Sequence, residues 1–552
     1  MNKFYFILLL TLIIQKTSAQ LPSFEWAKAI DGIGDESAKY VTTDLQGNIY
    51  VTGYFASASI VFGTTTLINS TSSFFDMFIV KYDQTGNVLW AKSAVGNKSD
   101  IGNSVTTDNQ GNVYVTGEFR SSSLVFDSFT LNVSSPLSSD MFLVKYDSNG
   151  NVQWAKQTVG SKKEVGNAVA TDVSGNVYVA GSFETNAVLF DSFSLPNNTL
   201  SDEIFIVKYD SLGAVVWARK AGSTAEDVAY GVEVDTSNNV YVVGDFYGPS
   251  IIVENDTLFN NGIGAIDMII IKYDEAGNLL WAKNEGGTLE EHPSSLVIDE
   301  FGDIYVAGTF SSANVIIGSD TITNNNTGEY NFFIIKYNES GTVQWAKGWG
   351  GSLSEYGRSI TINAAGNLYF AGIYESSDMV LINDTILNNG NFDVFVMNFD
   401  ELGNVYWVKT LGGTSYDVGN AVASDAVGNI YLVGDFISPS IDFGATSLVN
   451  NIGSYESFVA KLNPIPVNLN MHSDRPMVIF PNPFNSQTTI AFANEQNLST
   501  LIITDVQGRL IKSNVVSGNQ FVFEKGLLES GLYFVTLITN KEEQYTQKII
   551  LQ

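Results

Sequence analysis

Residues 108–119 read DNQGNVYVTGEF, and residues 141–156 read MFLVKYDSNGNVQWAK. Each pairs an Asp-x-x-Gly turn with runs rich in Val, Tyr and Phe, the pattern of short strands joined by tight turns. In Asp108-Asn109-Gln110-Gly111 and Asp147-Ser148-Asn149-Gly150 the Asp side chain can bond the turn backbone. The Gly supplies the positive φ that a bulged hairpin needs. The same text recurs along the chain. Seven Trp stand at 26, 90, 154, 217, 281, 345 and 407, spaced 64, 64, 63, 64, 64 and 62 residues apart. Tyr lies 24 residues after each, at 50, 114, 178, 241, 305, 369 and 431, and Gly lies 27 after each, at 53, 117, 181, 244, 308, 372 and 434. A fixed period of this length marks a repeat architecture.

The second unit predicts strands over 104–108, 112–119, 141–147 and 151–156, with a small hairpin over 124–131 between the second and third. The runs are apolar on both faces, as in Phe142-Leu143-Val144, which fits a small sheet held between neighbouring sheets. No helical period of useful length occurs. Four strands in each of seven units give an all-β fold, a seven-bladed β-propeller over residues 20–464. Phe24-Glu25-Trp26-Ala27-Lys28 is only the last strand of a unit, and Phe458-Val459-Ala460-Lys461-Leu462 has no Trp after it. The N-terminal strand should therefore complete the seventh blade, leaving no open sheet edge. An open solenoid would need capping units, which these truncated ends do not resemble.

These units resemble the seven-bladed beta-propeller repeat (SBBP) family through Gly111-Asn112-Val113-Tyr114-Val115-Thr116-Gly117 and Phe142-Leu143-Val144-Lys145-Tyr146-Asp147. The resemblance covers about 440 residues and implies a scaffold, not an activity.

Residues 465–477 break the repeat and read as a linker. Residues 478–552 carry new short strand-like runs, expected to form a small immunoglobulin-like β-sandwich. This segment is similar to the type A C-terminal sorting domain of the type IX secretion system. The similarity rests on Pro481-Asn482-Pro483-Phe484, on Asp505-Val506-Gln507-Gly508-Arg509, on Gly531-Leu532-Tyr533 and on the ending Lys548-Ile549-Ile550-Leu551. It implies a Bacteroidetes-type host, the type IX secretion machinery as a partner, and export across the outer membrane. It further implies removal of the domain, leaving a product released or attached to cell-surface lipopolysaccharide. The N-terminus agrees: in MNKFYFILLLTLIIQKTSA, residues 1–19, a Lys precedes a short apolar core and a small-residue cleavage site, the form of a signal peptide.

Composition excludes whole classes of function. The 552 residues carry 28 Lys plus Arg against 58 Asp plus Glu, a net charge of −30. Nucleic acid needs clustered cations, so it is excluded as a partner, as is electrostatic attachment to an anionic membrane. With no Cys, disulfides, thiolate metal sites and Cys nucleophiles are ruled out. No apolar run after the signal peptide approaches the length of a transmembrane span. A monomer is expected.

An acid stands ten residues after each repeat Trp: Glu36, Asp100, Glu164, Asp227, Glu291, Glu355 and Asp417. Placed just before the innermost strands, they should ring the channel on one face. Such a ring could hold a hard cation such as calcium or a polar ligand. Equally, each acid could bond backbone N–H groups of its own inter-blade loop. Sevenfold repetition favours the latter, since a binding site usually breaks symmetry, so no cofactor is assigned. Two symmetry breakers stand out as ligand spots: His292, in Glu290-Glu291-His292-Pro293, and the eighth Trp, Trp349. The other His, His472, lies in the linker and reads as solvated. No nucleophile elbow, zinc helix or phosphate loop is present, so no catalytic residue is assigned. The expected function is non-enzymatic binding or adhesion to an extracellular glycan or protein, at the cell surface or in secreted form. The alternatives are a carbohydrate-active hydrolase or lyase using carboxylates at the channel mouth, or a passive surface-layer component.

Overall fold

The computed structural model describes residues 22–30, 32–71, 73–382, 384–463, 477–480, 487–505, 509–526, 528, 531–539 and 544–551. Residues 1–19, read above as a signal peptide, and nearly all of the expected linker lie outside these residues. Six antiparallel blades follow one four-stranded plan, each running outward from its innermost strand, and in the third the outermost strand also pairs with the hairpin of Ser250–Val253 and Asp256–Phe259. In the second blade the order is Asp100–Thr107, Val113–Phe119, Asp140–Tyr146 and Val152–Gln157. The seventh blade is composite. Asp417–Ser424, Ile430–Phe436 and Glu456–Leu462 are completed by Phe24–Ile30, with Ala27 opposite Ala460 and Lys28 opposite Val459. Each innermost strand packs on the next, and Asp417–Ser424 packs on Glu36–Thr43, so the ring closes. In the second blade the middle strands are buried at every position except Glu118, as the doubly apolar runs required. A two-stranded hairpin, Ser123–Phe126 with Phe129–Asn132, sits where the sequence placed one.

The repeat residues clamp one blade to the next. The indole Nε1 of Trp90 donates to the Ser148 carbonyl at 3.1 Å, and its ring lies against Gly150 of that Asp-x-x-Gly turn. Gly150 has φ of 81°, and any Cβ there would strike the indole, so position and partner fix each other. Tyr114 Oη donates at 2.9 Å to Asp108 of the preceding turn, the Lys145 ammonium sits 5.1 Å from its ring centroid, and Lys145 Nζ donates to the Ser211 carbonyl of the third blade at 3.0 Å. Gly117 faces the Ile101 carbonyl so closely that a Cβ would come within 1.9 Å of it.

Two expectations change. The innermost strand of the second blade begins at Asp100, four residues before the predicted start. It carries a β-bulge between Gly102 and Ser104 that breaks the alternation used to find it. The acids therefore begin the strands instead of preceding them. In the C-terminal segment the pairings form one five-stranded antiparallel sheet among the described residues, not the two separate sheets of an immunoglobulin-like sandwich. Its strands Gln487–Asp505 and Leu510–Glu524 form one long hairpin whose register shifts between Ala491 and Gln496 and again before Ser499. One strand thereby pairs with Met477–Phe480 at its start and with Gly531–Ile538 at its end. Short-run reading split this hairpin into pieces.

Candidate ligand site at the channel mouth

The seven acids do not rim the channel. Glu36, Asp100, Glu164, Asp227, Glu291, Glu355 and Asp417 are all buried. Six accept hydrogen bonds from their own loops. Asp100 receives Ser121 Oγ at 2.6 Å and Asp417 receives Ser438 Oγ at 2.7 Å. Gly287 N and Gly351 N donate to Glu291 and Glu355 at 2.7 and 2.8 Å, Ser223 N donates to Asp227 at 2.5 Å, and Ser57 Oγ donates to Glu36. Burial raises their pKa values, to about 7 for Glu36, Asp100 and Glu355 and about 8 for Asp227. Among the described residues no group of three or more His, Asp or Glu converges in a way that could hold a metal ion.

The residues that enter the channel stand three positions further on. Every innermost strand has a bulge at the same place: between Ala38 and Tyr40, Gly102 and Ser104, Gly166 and Ala168, Ala229 and Gly231, Pro293 and Ser295, Gly357 and Ser359, and Gly419 and Ala421. A bulge re-aims the side chain of its extra residue. Here those residues are Lys39, Asn103, Asn167, Tyr230, Ser294, Arg358 and Asn420, of which Asn167, Tyr230, Ser294, Arg358 and Asn420 line the channel cavity. Residues from all seven innermost strands line a cavity of about 120 Å³ in the channel. The three Asn are structural: Asn103 Nδ2 reaches the Gly166 carbonyl at 3.1 Å, Asn167 the Ala229 carbonyl at 2.9 Å and Asn420 the Ala38 carbonyl at 3.0 Å, each in the next blade. Lys39, Tyr230, Ser294 and Arg358 break that stitching.

Around the same end of the channel, aromatic rings run across the seams of the fifth, sixth and seventh blades. Tyr330 and Tyr356 have centroids 5.2 Å apart, Tyr356 and Phe392 5.9 Å, and Phe392 and Tyr416 5.7 Å. Tyr416 is exposed and the other three are half-buried. The residues matching Tyr330 are Ser139, Asp202 and Ile266 in the second, third and fourth blades but Phe75, Phe392 and Tyr455 in the first, sixth and seventh, so aromatics at this position are confined to four adjacent blades. The Arg358 guanidinium stands 5.7 Å from the Tyr356 centroid.

His292 joins the end of this arc. Its Nδ1 lies 2.5 Å from Asp245 Oδ2 and its Nε2 3.4 Å from Glu290 Oε2. Tyr330 Oη donates to the same Glu290 oxygen. Burial would depress the His292 pKa, but the hydrogen bonds and charges of Asp245 and Glu290 outweigh it and raise the value. The hydrogen bond from Tyr330 holds Glu290 below the ordinary carboxylate range, while burial raises Asp245. A His, two acids and a Tyr thus share one hydrogen-bonded chain at the mouth.

Trp349 is not a rim aromatic. It ends the strand Val343–Trp349 and stacks on buried Phe332 at 5.6 Å, packed against the core between the fifth and sixth blades. Of the sorting-motif residues, Pro481, Asn482, Pro483, Phe484 and Gly508 lie outside the described residues. Gly531 begins a strand and Tyr533 is buried in that domain's core. Sequence reasoning missed the bulge ring. Its signal was position 13 after each Trp, where the residue changes from unit to unit while its neighbours repeat.

Comparison with known proteins fixes the protein's destination. Residues 478–552 match the secretion system C-terminal sorting domain. The protein is exported by type IX secretion to the cell surface or the extracellular space. Residues 84–118 match the beta-propeller repeat family SBBP. Neither matched family is that of an enzyme. An uncharacterised WD repeat-containing protein of Acanthamoeba polyphaga mimivirus is 26% identical over 528 residues, covering 79% of this chain and 38% of that protein. The regulatory protein FlaEY of Caulobacter vibrioides is 23% identical over 52% of this chain and 33% of its own length. The chain thus spans little more than a third of the curated relatives it matches. Among solved structures, Sqt1 of Chaetomium thermophilum aligns over 79% of this chain and all of its own, at 9% identity and TM-score 0.34. PorZ, a surface component of the type IX secretion system of Porphyromonas gingivalis, aligns over 95% and 100% at 8% identity and TM-score 0.15. Scores this low carry no argument about function. No helix among the described residues is long and apolar enough to cross a membrane.

Proposed function

We propose that this exported propeller is a binding protein, and that its ligand, a glycan, docks at the channel mouth against the arc from Tyr330 to Tyr416. The observation that carries the reading is the confinement of the arc to one sector of an otherwise sevenfold scaffold. Scaffold duties repeat in every blade, as the Trp clamp and the buried acids do. Half-buried rings held edge to edge by neighbouring blades give a ligand large, stiff apolar faces at low entropic cost. Sugar rings present matching C–H faces and hydroxyls for the polar groups alongside.

The test is a glycan-array screen of the full chain beside Tyr356→Ala and Tyr416→Ala. Binding by the wild type that falls tenfold or more in either variant supports the reading. Undiminished binding in both variants removes the arc from it. A second reading, a carbohydrate-active enzyme, is favoured by the chain linking Asp245, His292, Glu290 and Tyr330, whose groups could move a proton. Release of reducing ends from any bound glycan, abolished in His292→Ala, would select it.

A further inference from the structure

The binding reading leaves open what kind of glycan enters, and the bulge ring answers this. The protein carries 58 acids and 28 Lys plus Arg, so its cations stand in a strongly acidic field. Buried lysines of the third strands are engaged: Lys81, Lys208 and Lys336 each lie within 4 Å of a carboxylate. Arg358 is different. Among the described residues its guanidinium makes no ion pair and donates no hydrogen bond, and the side chain is exposed where it lines the channel cavity. Lys39, the other basic bulge residue, likewise lacks an ion pair or hydrogen bond and lies 5.5 Å from the Tyr54 centroid. The two flank the seventh blade. The acid between them, Asp435, is committed elsewhere. It accepts from Ser37 Oγ, Ser457 Oγ and Asn420 Nδ2, each at 2.7 Å, and from Ala38 N at 3.0 Å.

Arg358 is exposed to the channel and feels the charge of Asp435 without touching it, so its donors are free for a ligand. A planar fork of five donors matches a carboxylate bidentately. We infer that the channel mouth recognises an acidic saccharide, a uronic acid residue whose carboxylate sits on Arg358 and Lys39 while its ring lies on Tyr356. This rests on the binding reading above. The cavity of about 120 Å³ holds a few waters and so has room for the carboxylate but not for a chain of sugars, which makes recognition end-on. Glu233 lines the same cavity. Burial pushes its pKa up to about 7, so in mildly acid conditions it is largely neutral and does not repel the ligand.

The experiment measures binding of the immobilised full chain to galacturonate, glucuronate and mannuronate oligomers and to their methyl esters, which keep the rings and remove the charge. The expected result is at least a tenfold preference for one acid over its ester. That preference disappears in Arg358→Gln, shrinks in Lys39→Gln and weakens at high salt. Thermal melts of both variants confirm the fold. Equal wild-type binding to acid and ester overturns the inference while leaving the glycan reading standing, as does a preference that survives in Arg358→Gln. No binding to any of these saccharides overturns the inference, and a blank array as well overturns the glycan reading.

Discussion

Replacing Glu164 with Gln should change how the stability of the propeller depends on pH. In five of the other blades a serine stands two residues past the second strand, beside the repeat acid, as Ser121 donates to Asp100. In the third blade that place is taken by Thr185, whose hydroxyl is bound to Ser161 N at 2.8 Å and Ser161 Oγ at 3.0 Å. Neither Glu164 oxygen receives a hydrogen bond. The side chain is fully buried beside Asp140, also fully buried, whose Oδ1 has no donor. Burial first, then the charges of Asp140 and Glu184, raise the Glu164 pKa from 4.5 to about 9. The folded state therefore keeps a proton that the unfolded chain releases above its ordinary pKa. Stability contributed by neutral Glu164 is complete below pH 4.5 and is lost as pH rises toward 9. At about 1.4 kcal/mol per pH unit the loss has an upper bound of about 6 kcal/mol, and relaxation of the site brings it to roughly 3–6 kcal/mol. Gln is neutral at every pH and can donate to Asp140 Oδ1. Urea unfolding at pH 5, 7 and 9, in EDTA so that no divalent ion neutralises the pair, should show wild type and variant within about 1 kcal/mol at pH 5. The variant should lead by several kcal/mol at pH 9. Parallel pH curves, or a variant less stable at pH 9, would refute the reasoning.

Three further outcomes follow from the structure. Gly117→Ala places a Cβ 1.9 Å from the Ile101 carbonyl, so it should cost about 3 kcal/mol or more, read as a lowered urea midpoint. Deleting residues 22–30 removes the strand that pairs with Glu456–Leu462. It should lower the melting temperature by more than 10 °C and promote self-association through the opened edge, visible in light scattering. Trp349→Ala should cost about 2–4 kcal/mol through lost packing on Phe332 and leave glycan binding unchanged, whereas lost binding would return Trp349 to the site.

The sequence by itself determined the repeat, the number of blades and the closure by the N-terminal strand. Each depends on local patterns copied about every 64 residues, and copying makes a pattern visible. It also carried the sorting domain, through motifs contiguous in the chain. It misplaced the acids because a bulge shifts side-chain direction without changing composition: Asp100 and Asn103 are both polar residues near a strand start, and only the break between Gly102 and Ser104 sends one under a loop and the other into the channel. The site was less legible still. Tyr330, Tyr356, Phe392 and Tyr416 come from three different points of the repeat and span almost ninety residues. Lys39 and Arg358 are separated by more than three hundred. Only ring closure brings the first blade beside the seventh and sets both cations about Asp435. Residues that repeat are fixed by their own blade and can be read one unit at a time. Residues that break the repeat meet only across blade seams, so the tertiary structure alone decided where the proposed ligand site lies.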